Sequence, residues 1–131
     1  MRRSKSKTEL ALPTEAELGI LNVLWESGPS TVRDVHEALA KDTGYTTVLK
    51  QMQVMAEKGL LSRDEESRSH VYKPLIAREQ TQQGLTRNLV ERAFGGSAKN
   101  LVLGALSSQK VSAKDLEEIR RILDEYEKGS L

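Results

Sequence analysis

The side chains between Tyr45 and Gln53 have the types and the spacing to read the edge of a nucleic-acid duplex. At 100° per residue, a helix over this stretch turns Thr46, Lys50, Gln53 and Glu57 to one side, with Thr47 and Val54 at the margin. Val48, Met52 and Met55 turn to the other side. Gln can bond adenine through two hydrogen bonds, Lys can reach guanine or phosphate, and a Thr methyl can touch the thymine methyl. The N–H groups of the helix's first turn, where Tyr45 stands, can accommodate a phosphate. Glu57 is repelled by phosphates and is expected at the far end of the helix, away from a duplex.

Catalytic chemistry has little to work with. The chain has no cysteine, which removes disulfides, thiolate metal sites and Cys nucleophiles. His36 and His70 are far apart in sequence and too few to make a His-based metal centre, and no nucleophile–base pair can be picked out. The expectation is a protein that is not an enzyme and needs no cofactor or metal.

The elements that must position these residues are legible. Thr14 and Glu17 form an S/T-x-x-E capping box after Pro13, and Leu18, Leu21 and Trp25 then recur at helical spacing until Gly28-Pro29. Trp25 reads as a core aromatic. Ser30 or Thr31 caps a second helix with Val32, Val35 and Leu39 on one face, and Asp42-Thr43-Gly44 turns the chain. The third helix runs from about Tyr45 to Lys58, where Gly59 stops it. Two short helices joined by a Gly-containing turn match a helix-turn-helix.

Leu60-Leu61-Ser62-Arg63 and Ser69-His70-Val71-Tyr72-Lys73 read as two strands around a charged turn, with Pro74 closing the second. Three helices followed by a β-hairpin is the winged-helix order. In the wing, Arg63, Arg68 and Lys73 are phosphate candidates. Asp64, Glu65 and Glu66 disfavour deep insertion into a minor groove, so the wing should graze the backbone.

From Ile76 the pattern is helical again. Leu85, Leu89 and Ala93 recur every four residues to Gly95-Gly96, with an interruption at Gly84. A short apolar helix with Leu101, Val102, Leu103 and Leu106 follows. Ser112 and Asp115 then precede the stripe Leu116, Ile119, Leu123 and Tyr126. These helices carry more apolar surface than a small winged domain can cover, which argues for a dimer. Leu85, Leu89, Leu101, Leu103, Leu116, Ile119 and Leu123 are the expected interface.

The fold class that follows is mainly α with a small β-hairpin. It comprises a flexible basic tail over 1–11, a winged helix-turn-helix domain over 12–75 and a C-terminal helical dimerisation region over 76–131. No apolar run approaches the roughly 20 residues that span a bilayer, and the basic start lacks a signal peptide's apolar stretch, so a cytoplasmic protein without membrane insertion is expected.

Across 131 residues, 20 basic side chains face 19 acidic ones. Residues 13–44 hold 2 basic and 6 acidic side chains, whereas 74–111 hold 5 basic and 2 acidic. A net charge near zero gives modest nonspecific DNA affinity, so two half-sites bound by a dimer would supply the rest. The same neutrality leaves open a second reading: a helical protein-interaction module without DNA binding.

Leu12-Pro13-Thr14-Glu15-Ala16-Glu17, Val23-Leu24-Trp25, Gly44-Tyr45-Thr46-Thr47-Val48 and Glu57-Lys58-Gly59-Leu60-Leu61 together resemble the penicillinase repressor family of bacterial transcriptional regulators. The resemblance extends from Leu12 to Tyr126, and its specificity lies in the order and spacing of the pieces. It implies a homodimeric winged-helix repressor that binds double-stranded DNA at a short inverted-repeat operator, with the C-terminal helices as dimer interface. It places the third helix in the major groove, with Thr46, Thr47 and Lys50 foremost and Gln53 beside them. In the antibiotic-responsive branch it implies a membrane-bound sensor metalloprotease as regulator, with cleavage at an Asn-Phe bond. Asn100-Leu101-Val102-Leu103-Gly104-Ala105 resembles that region, with Gly104-Ala105 in the place of Asn-Phe. The copper-responsive branch has a Cys-rich metal site, which a chain without cysteine does not have.

Overall fold

The computed structural model describes residues 12–129 apart from 40, 41 and 67. The basic tail expected over 1–11 lies outside the described residues. Two compact units divide the chain, one ending at Arg87 and the other beginning at Asn88.

Helix α1, Glu15–Ser27, starts at the expected capping box: the Thr14 hydroxyl accepts from the Glu17 N–H at 3.2 Å, and the Glu17 carboxylate accepts from the Thr14 N–H at 3.0 Å. The buried face is Glu17, Ile20, Leu21 and Leu24, with Leu18 and Trp25 only half-buried. The face is therefore turned from the apolar stripe toward Glu17, because the charge of Glu17 is met by partners. Trp25 packs at the core's margin, and its indole N–H donates to the Ile76 carbonyl at 3.1 Å. The Arg78 guanidinium lies 5.8 Å from the ring centre.

After Gly28 (φ 85°), where a side chain would be strained, Ser30–Thr31 forms a two-residue strand, β1. Helix α2 is Val32–Ala38, α3 is Tyr45–Glu57, β2 is Leu61–Asp64 and β3 is Val71–Pro74. The sheet has the order β1-β3-β2, antiparallel throughout, with Ser30 opposite Tyr72 and Arg63 opposite Tyr72 on the other side. The sequence supports the hairpin but not β1, since two residues carry no alternation to read. Pro74, which cannot donate, stands at the strand end, and the Leu75 N–H reaches the Leu60 carbonyl at 2.8 Å.

The core joins Ile20, Leu21 and Leu24 of α1 to Val32 and Val35 of α2 and to Val48, Met52 and Met55 of α3. Leu60, Leu61 and Tyr72 complete it from the sheet side. Nothing larger than Tyr72 is fully buried, so two flexible Met side chains fill space that a second aromatic would fill elsewhere.

Helix α4, Arg78–Ala93, runs unbroken through a buried Gly84, where the sequence suggested an interruption. It ends at Gly95 and Gly96, both left-handed (φ 57° and 80°), and the Gly96 N–H closes onto the Val90 carbonyl at 2.8 Å. Ser97 caps α5, Ala98–Ser108, and Ser112 caps α6, Ala113–Glu127, each hydroxyl accepting the N–H three residues on. No residue of α5 or α6 is buried in the single chain. No helix among the described residues is long and apolar enough to cross a membrane.

Candidate nucleic-acid interface

The turn between α2 and α3 is held by side chains from both. Thr31 caps α2 by accepting from the Asp34 N–H at 3.1 Å, and Asp34 reciprocates to the Thr31 N–H at 3.2 Å. From the last turn of α2, His36 Nε2 lies 2.9 Å from the Thr43 carbonyl. Its ring meets Tyr45 edge-on, with centroids 5.8 Å apart. The start of α3 is thus fixed to α2 by a hydrogen bond and an aromatic contact.

The first turns of the three helices differ in a way that bears on anions. Those of α1 and α2 carry acidic residues in capping boxes, which offset the helix dipole. Helix α3 has Gly44 at its cap, no side-chain cap bond and no acidic residue in its first turn. Its N–H groups and positive dipole end are offered outward.

Helix α3 divides as its sequence implies: Val48, Met52 and Met55 are buried, while Thr46, Thr47, Lys50 and Gln53 are exposed and Tyr45 is 46% exposed. Tyr45, Gln53, Arg63 and Arg68 come together as walls of one groove of about 360 Å³, completed by Thr31, Val32, Arg33, Leu49, Ser69, His70 and Tyr72. Thr46, Thr47 and Lys50 stand on the exposed face of α3 and do not line it. Arg33 and His70 are additions that sequence reasoning did not select. Pairing of β1 with β3 brings the start of α2 beside the wing, and no local pattern near Arg33 announces that pairing.

On its other flank Arg63 borders a second groove, of about 540 Å³, with Gln53, Ala56, Glu57 and Glu65. The Arg63 guanidinium is engaged within the wing. Its Nε donates to Glu65 Oε2 at 2.8 Å and its Nη2 donates to the same oxygen. The Tyr72 hydroxyl and then the Glu65 carboxylate hold the guanidinium's pKa above the ordinary arginine value. Asp64 accepts from the Glu66 N–H at 3.0 Å and shapes the turn.

Among the described residues no three His, Cys, Asp or Glu side chains are grouped so as to hold a metal ion. The chemistry on offer is hydrogen bonding and cationic contact.

Residues 13–125 match the penicillinase repressor family. The chain belongs to that family. It is 32% identical to the transcriptional regulator BlaI of Mycobacterium tuberculosis (strain CDC 1551 / Oshkosh) over 118 residues, which covers 88% of this chain and 85% of that protein. It is 24% identical to a penicillinase repressor of Bacillus licheniformis, covering 86% and 90% of the two chains. Identity to the methicillin resistance regulatory protein MecI of Staphylococcus aureus (strain N315) is 21%, covering 85% and 92%. The family membership agrees with the winged-helix order of this penicillinase repressor homologue and with its small sheet.

Proposed function

We propose that this member of the penicillinase repressor family represses transcription as a homodimer, each copy laying α3 in the major groove of one half of an inverted-repeat operator. Membership makes it a DNA-binding transcriptional repressor rather than an enzyme. The observation that carries the finer reading is the start of α3. An uncapped, non-acidic helix N-terminus stands beside exposed Tyr45, Thr46, Thr47 and Lys50, next to a groove walled by Arg33, Arg63 and Arg68. Base-edge contacts are assigned to Thr46, Thr47, Lys50 and Gln53, and phosphate contacts to Tyr45, Arg63 and Arg68.

The dimer rests on the C-terminal helices. No residue of α5 or α6 is fully buried within the chain, and Leu89, Leu103 and Leu123 are 48%, 56% and 60% exposed. Leu85, Leu101, Leu116 and Ile119 are half-buried beside them in sequence. Such surface is stable in water when a second copy covers it. Residues 12–75 then act as the DNA-binding part and 76–131 as the dimerising part, and a two-fold dimer calls for a palindromic site. Regulation by a membrane-bound sensor metalloprotease is supported by family resemblance alone. The bond in the corresponding place, Gly104–Ala105, lies inside α5.

Genome-wide mapping of bound fragments tests the reading. Enrichment of promoter fragments sharing an inverted repeat is expected; enrichment of none would leave a protein-interaction module as the better account.

A further inference from the structure

The acidic wing is unusual for a surface that approaches phosphates, and its geometry separates the roles of its carboxylates. Asp64 bonds the turn's own backbone at Glu66. Glu65 takes two donors of one guanidinium on a single oxygen, Oε2. Arg63 lies in β2 and Glu65 one residue past its end, so the pair is local to the start of the wing turn. The register opposite Tyr72 fixes Arg63 at the boundary of both grooves beside Gln53. A carboxylate on two arginine donors occupies the positions a phosphodiester would take.

We propose that Glu65 is an internal competitor for phosphate: it occupies the Nε–Nη2 edge of the Arg63 guanidinium, so that a phosphate takes that edge only by displacing it, which lowers the protein's nonspecific DNA affinity. This rests on the DNA-binding reading above. The phosphate sheds its counterion in either case, but a displaced carboxylate then stands near the duplex and holds cations there, so the net release is smaller than for a bare guanidinium. Glu65 is a specificity-determining residue in this sense, since lower nonspecific affinity leaves more protein for operator sites. The two side chains are part-exposed, 33% and 57%, so the pair is weak enough to open on binding.

The test uses the full chain and a labelled mixed-sequence duplex titrated from low to physiological salt, with the parent, Glu65→Gln, Glu66→Gln, Arg63→Ala and the Arg63→Ala/Glu65→Gln double variant. Glu65→Gln is expected to tighten binding about fivefold, the equivalent of releasing one exposed ion pair. Its salt dependence should steepen by up to about 0.9 in log–log slope, since no displaced carboxylate then holds a cation beside the phosphate that Arg63 meets. Both gains should vanish in the Arg63→Ala background, and Glu66→Gln, which removes the same charge, should leave the slope unchanged. Equal effects of Glu65→Gln and Glu66→Gln would overturn the proposal, as would a gain that survives without Arg63. Failure of the parent and all variants to bind either this duplex or any genomic fragment would instead sink the DNA-binding reading itself, and the proposal with it.

Discussion

Lys58 Nζ lies 2.6 Å from Glu17 Oε2, joining the residue that caps the C-terminus of α3 to the first turn of α1. The Glu17 side chain is 3% exposed, and Lys58 reaches it from solvent. Burial alone would push the Glu17 carboxyl up. The Lys58 ammonium, the Thr14 N–H and the Thr14 hydroxyl together outweigh it, and the pKa falls below the ordinary glutamate value.

A lowered folded-state pKa means that Glu17 contributes stability above its unfolded value, which is lost as pH falls through the folded one. Lys58→Met should destabilise the fold by about 2 kcal/mol, because it strands a buried carboxylate. Glu17→Gln should flatten the loss of stability across the acidic carboxylate range. Denaturant melts of the three proteins at neutral and acidic pH would measure both. Parallel pH profiles for the parent and Glu17→Gln would contradict the assignment.

Lys50 stands in the middle of the exposed face of α3. Lys50→Ala should weaken operator binding by roughly 1–3 kcal/mol if it reads a base, or lower the salt slope by about one unit if it meets a phosphate. Titrations that match the parent at every salt concentration would remove Lys50 from the interface.

Leu116, at the start of the α6 stripe, is half-buried, and Leu123 is largely exposed. The double variant Leu116→Asp/Leu123→Asp should sediment as a monomer where the parent sediments as a dimer, since charges would face a second copy of the same helix. A tight dimer from the variant would place the interface elsewhere.

Trp25 is tied to the segment after β3 by its hydrogen bond to the Ile76 carbonyl. Trp25→Phe keeps a ring at the core's margin but removes the donor, with an expected cost of about 1 kcal/mol in a urea melt. No change in midpoint would mean that water serves the carbonyl equally well.

Local features could be read from residue order alone. The capping box at Thr14 and Glu17, the breaks at Gly28 and Gly59, the period of Val48, Met52 and Met55, and the polar face opposite them all follow from short-range sterics and hydrogen bonding. The outward set of α3 was legible for that reason, since a helix's buried face fixes its exposed one. Tertiary structure alone decided what depends on residues far apart in the chain. It added β1, whose two residues have no pattern until β3 lies beside them. It turned α1 so that Glu17 is buried, which hydropathy argues against and which Lys58, 41 positions away, makes favourable together with the local Thr14 cap. It also gathered Arg33, Arg63, Arg68 and His70 around one groove. Charge and hydrogen bonding act through space, so a partner such as Lys58 is absent from the local window of sequence around Glu17.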